Sequence, residues 1–121
     1  MKYLLLIYQN EAELGTLMQS PAAADVMAGY RAFTERITTS GENLGGEALE
    51  NTSMATCVRV REGKVSTTDG PFAETREALG GYYLVEAKDL DRAIEIASEI
   101  PSARYGTIEV RPLMIWDKPP E

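Results

Sequence analysis

Histidine is absent from the sequence, and Cys57 is its only cysteine. Without imidazole, the side chain that titrates nearest neutral pH and most often binds transition metals is missing. A lone thiol cannot close an internal disulfide. A structural zinc site needs a cluster of Cys and His ligands, so it is excluded, and no metal or other cofactor is expected. Basic residues are scarce as well: 12 Lys and Arg stand against 19 Asp and Glu, a formal charge of −7. With no Lys or Arg cluster to neutralise a phosphate backbone, nucleic-acid binding is not expected. Long hydrophobic runs are also missing. Met1 to Tyr8 is apolar apart from Lys2, and Gln9-Asn10-Glu11 interrupts it before the ~20 residues of a membrane span or a signal-peptide core can develop. The expectation is a cytoplasmic protein with no membrane contact.

What remains is ordinary for one folded domain: 121 residues, 44% hydrophobic and 26% charged. Residues 1–116 read as that domain and 117–121 as a polar C-terminal tail. Tyr3 to Tyr8 is apolar on both alternating faces, the pattern of a central strand covered from two sides. Gln9 to Gln19 reads as a connection with a turn of helix around Glu11–Leu17. Ser20-Pro21 then marks a helix start, Ser as N-cap and Pro at the first helical position. Val26, Met27, Tyr30, Phe33 and Ile37 form its apolar stripe, and Gly41 its stop. A short strand follows at Gly45–Glu50. From Met54 to Arg61, Met54, Thr56, Val58 and Val60 alternate with Ala55, Cys57, Arg59 and Arg61, and Glu62-Gly63 turns this strand into Lys64–Thr68 as a hairpin. Asp89 caps a second helix with Leu90, Ala93, Ile94, Ala97 and Ile100 on one stripe, closed by Pro101. Thr107 to Trp116 is the last strand, with Pro112 marking an edge position or a bulge.

The stretch Thr68–Ala87 organises the rest. Asp69-Gly70-Pro71 is strong turn chemistry, and Phe72 is expected to anchor that turn in apolar surroundings. Gly80-Gly81 leaves no side chain before Tyr82-Tyr83-Leu84-Val85, which suits a bulge or a close backbone approach. The run DGPFAETREALGGYYLVEA resembles the signature of the DGPF branch of the YCII-related domain family. So do MKYLLLIY at the start, RVREGKV before the signature and IPSARYGTIEVRP after it, so the resemblance spans nearly the whole chain.

The order strand–helix–strand, hairpin, strand–helix–strand defines a ferredoxin-like α+β domain, with both helices on one face of an antiparallel sheet. The other sheet face is left open, although the first strand is apolar on both sides. A second copy covering it gives a homodimer, and the family resemblance likewise implies a dimeric α+β barrel.

Candidate chemistry divides into paired readings. Asp69 is either a general base or a turn-forming residue bonded to its own backbone. Arg59 with Arg61, and Glu109 with Arg111, share strand faces at two-residue spacing. They form either a solvated charge ladder or a polar lining for a small anionic ligand. Tyr8, Tyr82 and Tyr83 either orient a ligand or simply pack. Glu74 and Glu77 lie in a charged, solvated loop. Cys57 alternates with arginines and is either a reactive thiol or an inert one. The wider family carries a catalytic-looking His–Asp dyad, and the matching positions here are Tyr30 and Ile100. A phenol with an ordinary pKa near 10 and an alkyl chain cannot run that acid–base chemistry.

The functional expectation is a small homodimeric ligand-binding or regulatory protein. Its ligand side chains are Tyr8, Tyr30, Arg59, Phe72, Tyr82 and Arg111, and its small-molecule ligand is not named by the sequence. The resemblance further implies partnership with an extracytoplasmic-function sigma factor. The alternative is a cofactor-free enzyme, like muconolactone isomerases or monooxygenases of this architecture, using Asp69 with Tyr and Arg residues in the cleft.

Overall fold

Lys2–Gln9 forms β1, and the sheet order β2-β5-β1-β6 places it between two neighbours, as its doubly apolar pattern requires. The computed structural model describes residues 1–116, and the tail 117–121 lies outside the described residues. The remaining members of this antiparallel sheet are β2 (Asn43–Ala48), β5 (Ala78–Glu86) and β6 (Thr107–Pro112). Tyr3, Leu5 and Ile7 of β1 point to one side. There they join Val85, Phe33, Ile37, Ile96 and Ile100 in the core. The ring of Phe33 meets Tyr83 edge-on at 5.1 Å between centroids.

Two helices cover that side, α2 (Ala23–Thr39) and α3 (Leu90–Glu99). A third helix, α1 (Glu11–Met18), replaces the single turn expected between β1 and α2. Its N-cap is Asn10, whose Oδ1 accepts from the Glu13 N–H at 2.9 Å. Ser20 does not cap α2. Its hydroxyl accepts from the Ala22 N–H at 3.2 Å and donates to the Leu17 carbonyl at 2.6 Å, so it shapes the α1–α2 turn and the helix starts at Ala23. Gly41 does end α2. Its φ of +83° lets Glu42 N–H reach the Ile37 carbonyl and Gly41 N–H the Thr38 carbonyl, the paired bonds of a glycine C-terminus.

Asp89 caps α3 as expected, accepting from Arg92 N–H at 2.9 Å. The buried stripe of α3 differs from the expected one: Ala93, Ile96 and Ala97 are buried, while Leu90 and Ile94 are each 50% exposed. Gly80 is the extra residue of a bulge, because Ile7 pairs with Gly81 and Tyr8 with Leu79. β6 is an edge strand and tolerates Pro112, but it ends there rather than at Trp116. Leu113 N–H still bonds the Lys2 carbonyl, and Met114, Ile115 and Trp116 are largely exposed.

The hairpin forms as β3 (Thr56–Arg61) and β4 (Lys64–Asp69), with Met54 in a 3-10 turn before it. Positive φ at Glu62 and Gly63 closes it in the turn that matches strand twist. It is a separate two-stranded ribbon, joined to neither edge of the main sheet.

Candidate functional site: the open face of the sheet

Because successive residues alternate across a strand, burial of Tyr3, Leu5 and Ile7 turns Leu4, Leu6 and Tyr8 to the side without helices. Register then fixes their neighbours. Leu6 lies between Tyr82 and Glu109, Leu4 between Leu84 and Arg111, and Tyr8 between Leu79 and Thr107. Glu47 of β2 sits across from Tyr82. The face is therefore a half-buried band of Leu4, Leu6, Leu84 and two phenols, bordered by Glu47, Glu109 and Arg111.

Burial pushes the Tyr8 phenol above its ordinary pKa, the nearby Glu109 carboxylate raises it further, and Arg111 opposes both. Tyr8 is thus a neutral phenol at physiological pH, able to donate or accept a hydrogen bond. Arg111 makes no ion pair among the described residues. A guanidinium beside apolar surface, with no carboxylate claiming it, is suited to a ligand's anionic group. The rim is braced where β5 and β6 begin: Thr107 Oγ1 donates to Glu77 Oε1 at 2.8 Å. Glu77 is accordingly half-buried and structural, not a freely solvated loop residue.

Tyr30 lies on the other side of the sheet. Its hydroxyl is hydrogen-bonded to that of Ser102, which is 1% exposed and donates to Gln9 Oε1 at 2.9 Å. Burial raises the Tyr30 pKa, with the Ser102 hydrogen bond working against it. Ile100, the other dyad position, is in the core at 1% exposure. A phenol–hydroxyl–amide knot therefore occupies the region where the family resemblance puts acid–base residues. Gln9 follows Tyr8 directly, so the knot fixes the end of the strand that carries a ligand candidate. On its outer side Gln9 helps line a shallow groove of about 230 Å³ with Leu14, Leu17 and Tyr105.

Arg59, Asp69 and Phe72 belong to the ribbon and its exit. Arg59 and Asp69 are exposed, and Phe72 is 82% exposed. Phe72 is thus no buried anchor. The turn is closed by main chain, with Gly70 N–H donating to the Ala55 carbonyl at 2.7 Å while Gly70 takes φ +91°. Asp69 does not tie it down as expected. Cys57 Sγ, half-buried, donates to the Gly70 carbonyl at 3.2 Å.

Of the residues singled out from sequence, the structure gathers Tyr8, Tyr82, Glu109 and Arg111 on one face and scatters the others. Sequence reading missed Gln9 and Ser102 as partners of Tyr30. The polar Gln9 ending an apolar strand was the available signal.

The fold and this face define a ferredoxin-like α+β protein with helices on one side of its sheet and a mixed apolar and polar surface on the other. The chain belongs to the YCII-related domain family, whose model matches residues 1–117. An uncharacterized protein of Rhizobium meliloti (strain 1021) is 35% identical over 124 residues, spanning 100% of this chain and 98% of the relative. Among solved structures, the chain is similar in fold to 5-chloro-2-hydroxyhydroquinone dehydrochlorinase from Burkholderia phenoliruptrix in complex with 2,5-dihydroxybenzoquinone. The TM-score is 0.57 at 13% identity, over 94% of each chain. No helix among the described residues is long and apolar enough to cross a membrane.

Proposed function

We propose that this is a homodimeric ligand-binding protein that takes a small anionic aromatic molecule on the open face of its sheet. The observation that carries the reading is the grouping of Tyr8, Tyr82 and Arg111, which has no ion pair among the described residues, around Leu4, Leu6 and Leu84. Leucines supply flat apolar contact, phenols hydrogen-bond ring substituents, and guanidinium holds a carboxylate or phenolate. A second copy facing this surface removes it from water and completes the cleft. The fold neighbour's bound dihydroxybenzoquinone supports a ring of this size.

Acid–base catalysis would need a buried titratable pair within hydrogen-bond reach. Here Asp69 stands exposed at the end of the ribbon, in a different sheet from the phenols. Fold likeness to an enzyme is the support for the catalytic alternative, and fold alone is a weak warrant for function. The relatives add no support to a sigma-factor partnership.

Calorimetric titration with 2,5-dihydroxybenzoquinone tests the reading. Wild type binds it, and Arg111→Ala weakens binding about 10- to 100-fold through loss of one charge-assisted contact. Asp69→Asn leaves affinity unchanged. Equal affinity in wild type and Arg111→Ala overturns the placement. Consumption of the quinone by wild type but not by Asp69→Asn favours the enzyme.

A further inference from the structure

The ribbon β3–β4 is an element that the chain's own contacts do not explain. Among the described residues it pairs with no other strand, and eleven of its twelve strand residues are exposed, Cys57 being half-buried. A lone two-stranded hairpin is at best marginally stable in water. Its two faces differ in chemistry. Register puts Val60 opposite Val65 and Val58 opposite Thr67 on one face, and Arg61 opposite Lys64 and Arg59 opposite Ser66 on the other. The three valines are 61%, 57% and 69% exposed at positions 58, 60 and 65. Met54 and Phe72, flanking the ribbon, are 71% and 82% exposed.

We infer that the ribbon is a clasp whose valine face lies against a second copy of this chain, at the rim of that copy's open sheet face. The inference rests on the dimer reading above and names the part of the chain that holds the dimer together. Reach and area each favour a second copy as the occupant. Six residues at ~3.3 Å per residue extend the ribbon about 20 Å from its base, matching the width of four strands spaced ~4.8 Å apart. Val58, Val60, Val65, Met54 and Phe72 together offer roughly 600 Å² of apolar surface, most of the ~800 Å² per partner that a standard interface buries. A two-fold dimer makes this contact twice. Arg59, Arg61 and Lys64 outweigh Glu62 and Asp69 in the ribbon, whereas the chain as a whole carries −7. These basic side chains lie on the face away from the valines, so that face stays in water while the valine face is free to meet a second copy.

The test combines sedimentation equilibrium with hydrogen exchange on wild type, Val58→Glu/Val60→Glu and Arg59→Glu. The wild-type dimer is expected to protect its ribbon amides. The double glutamate variant should raise the dimer dissociation constant at least 100-fold and speed ribbon exchange at least tenfold, with α3 protection unchanged. Arg59→Glu, on the opposite face, should stay within about threefold of wild type. Unprotected ribbon amides in a wild-type dimer, or an unweakened double variant, overturn the clasp and leave the dimer standing. Equal dissociation by Arg59→Glu overturns the valine-face assignment. A wild-type monomer at micromolar concentration removes the dimer and the clasp together.

Discussion

The ionised Glu42 side chain ties two elements of the fold together. It joins the end of α2 to α3 through a fork of two hydrogen bonds, Arg92 Nε to Oε2 and Nη2 to Oε1, each at 2.8 Å. Ser40 Oγ adds a third at 2.7 Å. The Arg92 bonds hold the Glu42 carboxyl down at about 2 from an ordinary 4.5, against the upward push of burial. A depressed carboxylate stabilises the folded state above its unfolded pKa, and that stability is lost as pH falls through the folded value. The window here runs from about pH 5 down to about 2. The side chains are 18% and 30% exposed, so water screens the pair. The contribution is on the order of 1–2 kcal/mol rather than the larger figure that the full shift implies. Glu42→Gln should lose about that much at pH 7, and the gap from wild type should close toward pH 2. Urea melts across pH 2–7 check this, and a gap that stays constant with pH sinks it.

At the scale of elements, strands were legible where burial is one-sided or two-sided and repeats every second residue. β1 follows from that pattern, the β3–β4 hairpin from alternating residue types and the Glu62-Gly63 turn although its strands are exposed, and the bulge from Gly80-Gly81. The same alternation put Tyr8 with its cross-strand neighbours on one face, so part of the candidate site was legible too. Helix α1 reads as no more than a turn in the sequence because it buries no residue and so shows no stripe. Its Asn10-x-x-Glu13 capping pattern was the signal that remained. In α3, Leu90 and Ile94 sit four residues apart, as core positions do, yet they remain half exposed while Ile96 fills the core. Periodicity alone cannot choose between two apolar stripes on one helix. The Tyr30–Ser102–Gln9 knot was not legible, because its bonds span 72 and 93 residues of sequence. Close packing between elements is similarly invisible until the backbone is placed. A Cβ at Gly106 would collide with the Tyr8 carbonyl oxygen, whereas one at Gly80 would meet only the movable amide of Gln9 at 2.9 Å. Gly106→Ala should therefore cost about 2–3 kcal/mol by forcing β6 away from β1, and Gly80→Ala under about 1 kcal/mol. Denaturant midpoints decide this, and equal costs would show that β6 shifts freely.

For the whole molecule, the sheet has helices on one side and an apolar band on the other. Its charge also works against self-association, since two copies bring −14 together from −7 each. Apolar contact must therefore exceed that repulsion. The exposed Val58, Val65, Met114, Ile115 and Trp116 offer the surface to do so. If the dimer is the stable folded unit, unfolding also separates two chains, and mass action makes thermal stability depend on protein concentration. A tenfold rise in concentration adds about 1.4 kcal/mol to the dimer. A unit of roughly 240 residues shifts its Tm by about 2–4 °C per kcal/mol. Calorimetric scans at 5 and 50 μM should then differ by about 3–5 °C, where these concentrations are roughly chosen to bracket a micromolar dissociation constant. Raising salt should widen the dimer's range, because screening weakens the repulsion between acidic bodies more than it weakens apolar contact. A Tm independent of concentration would mean that each chain folds alone and that the open face is wet in the working protein.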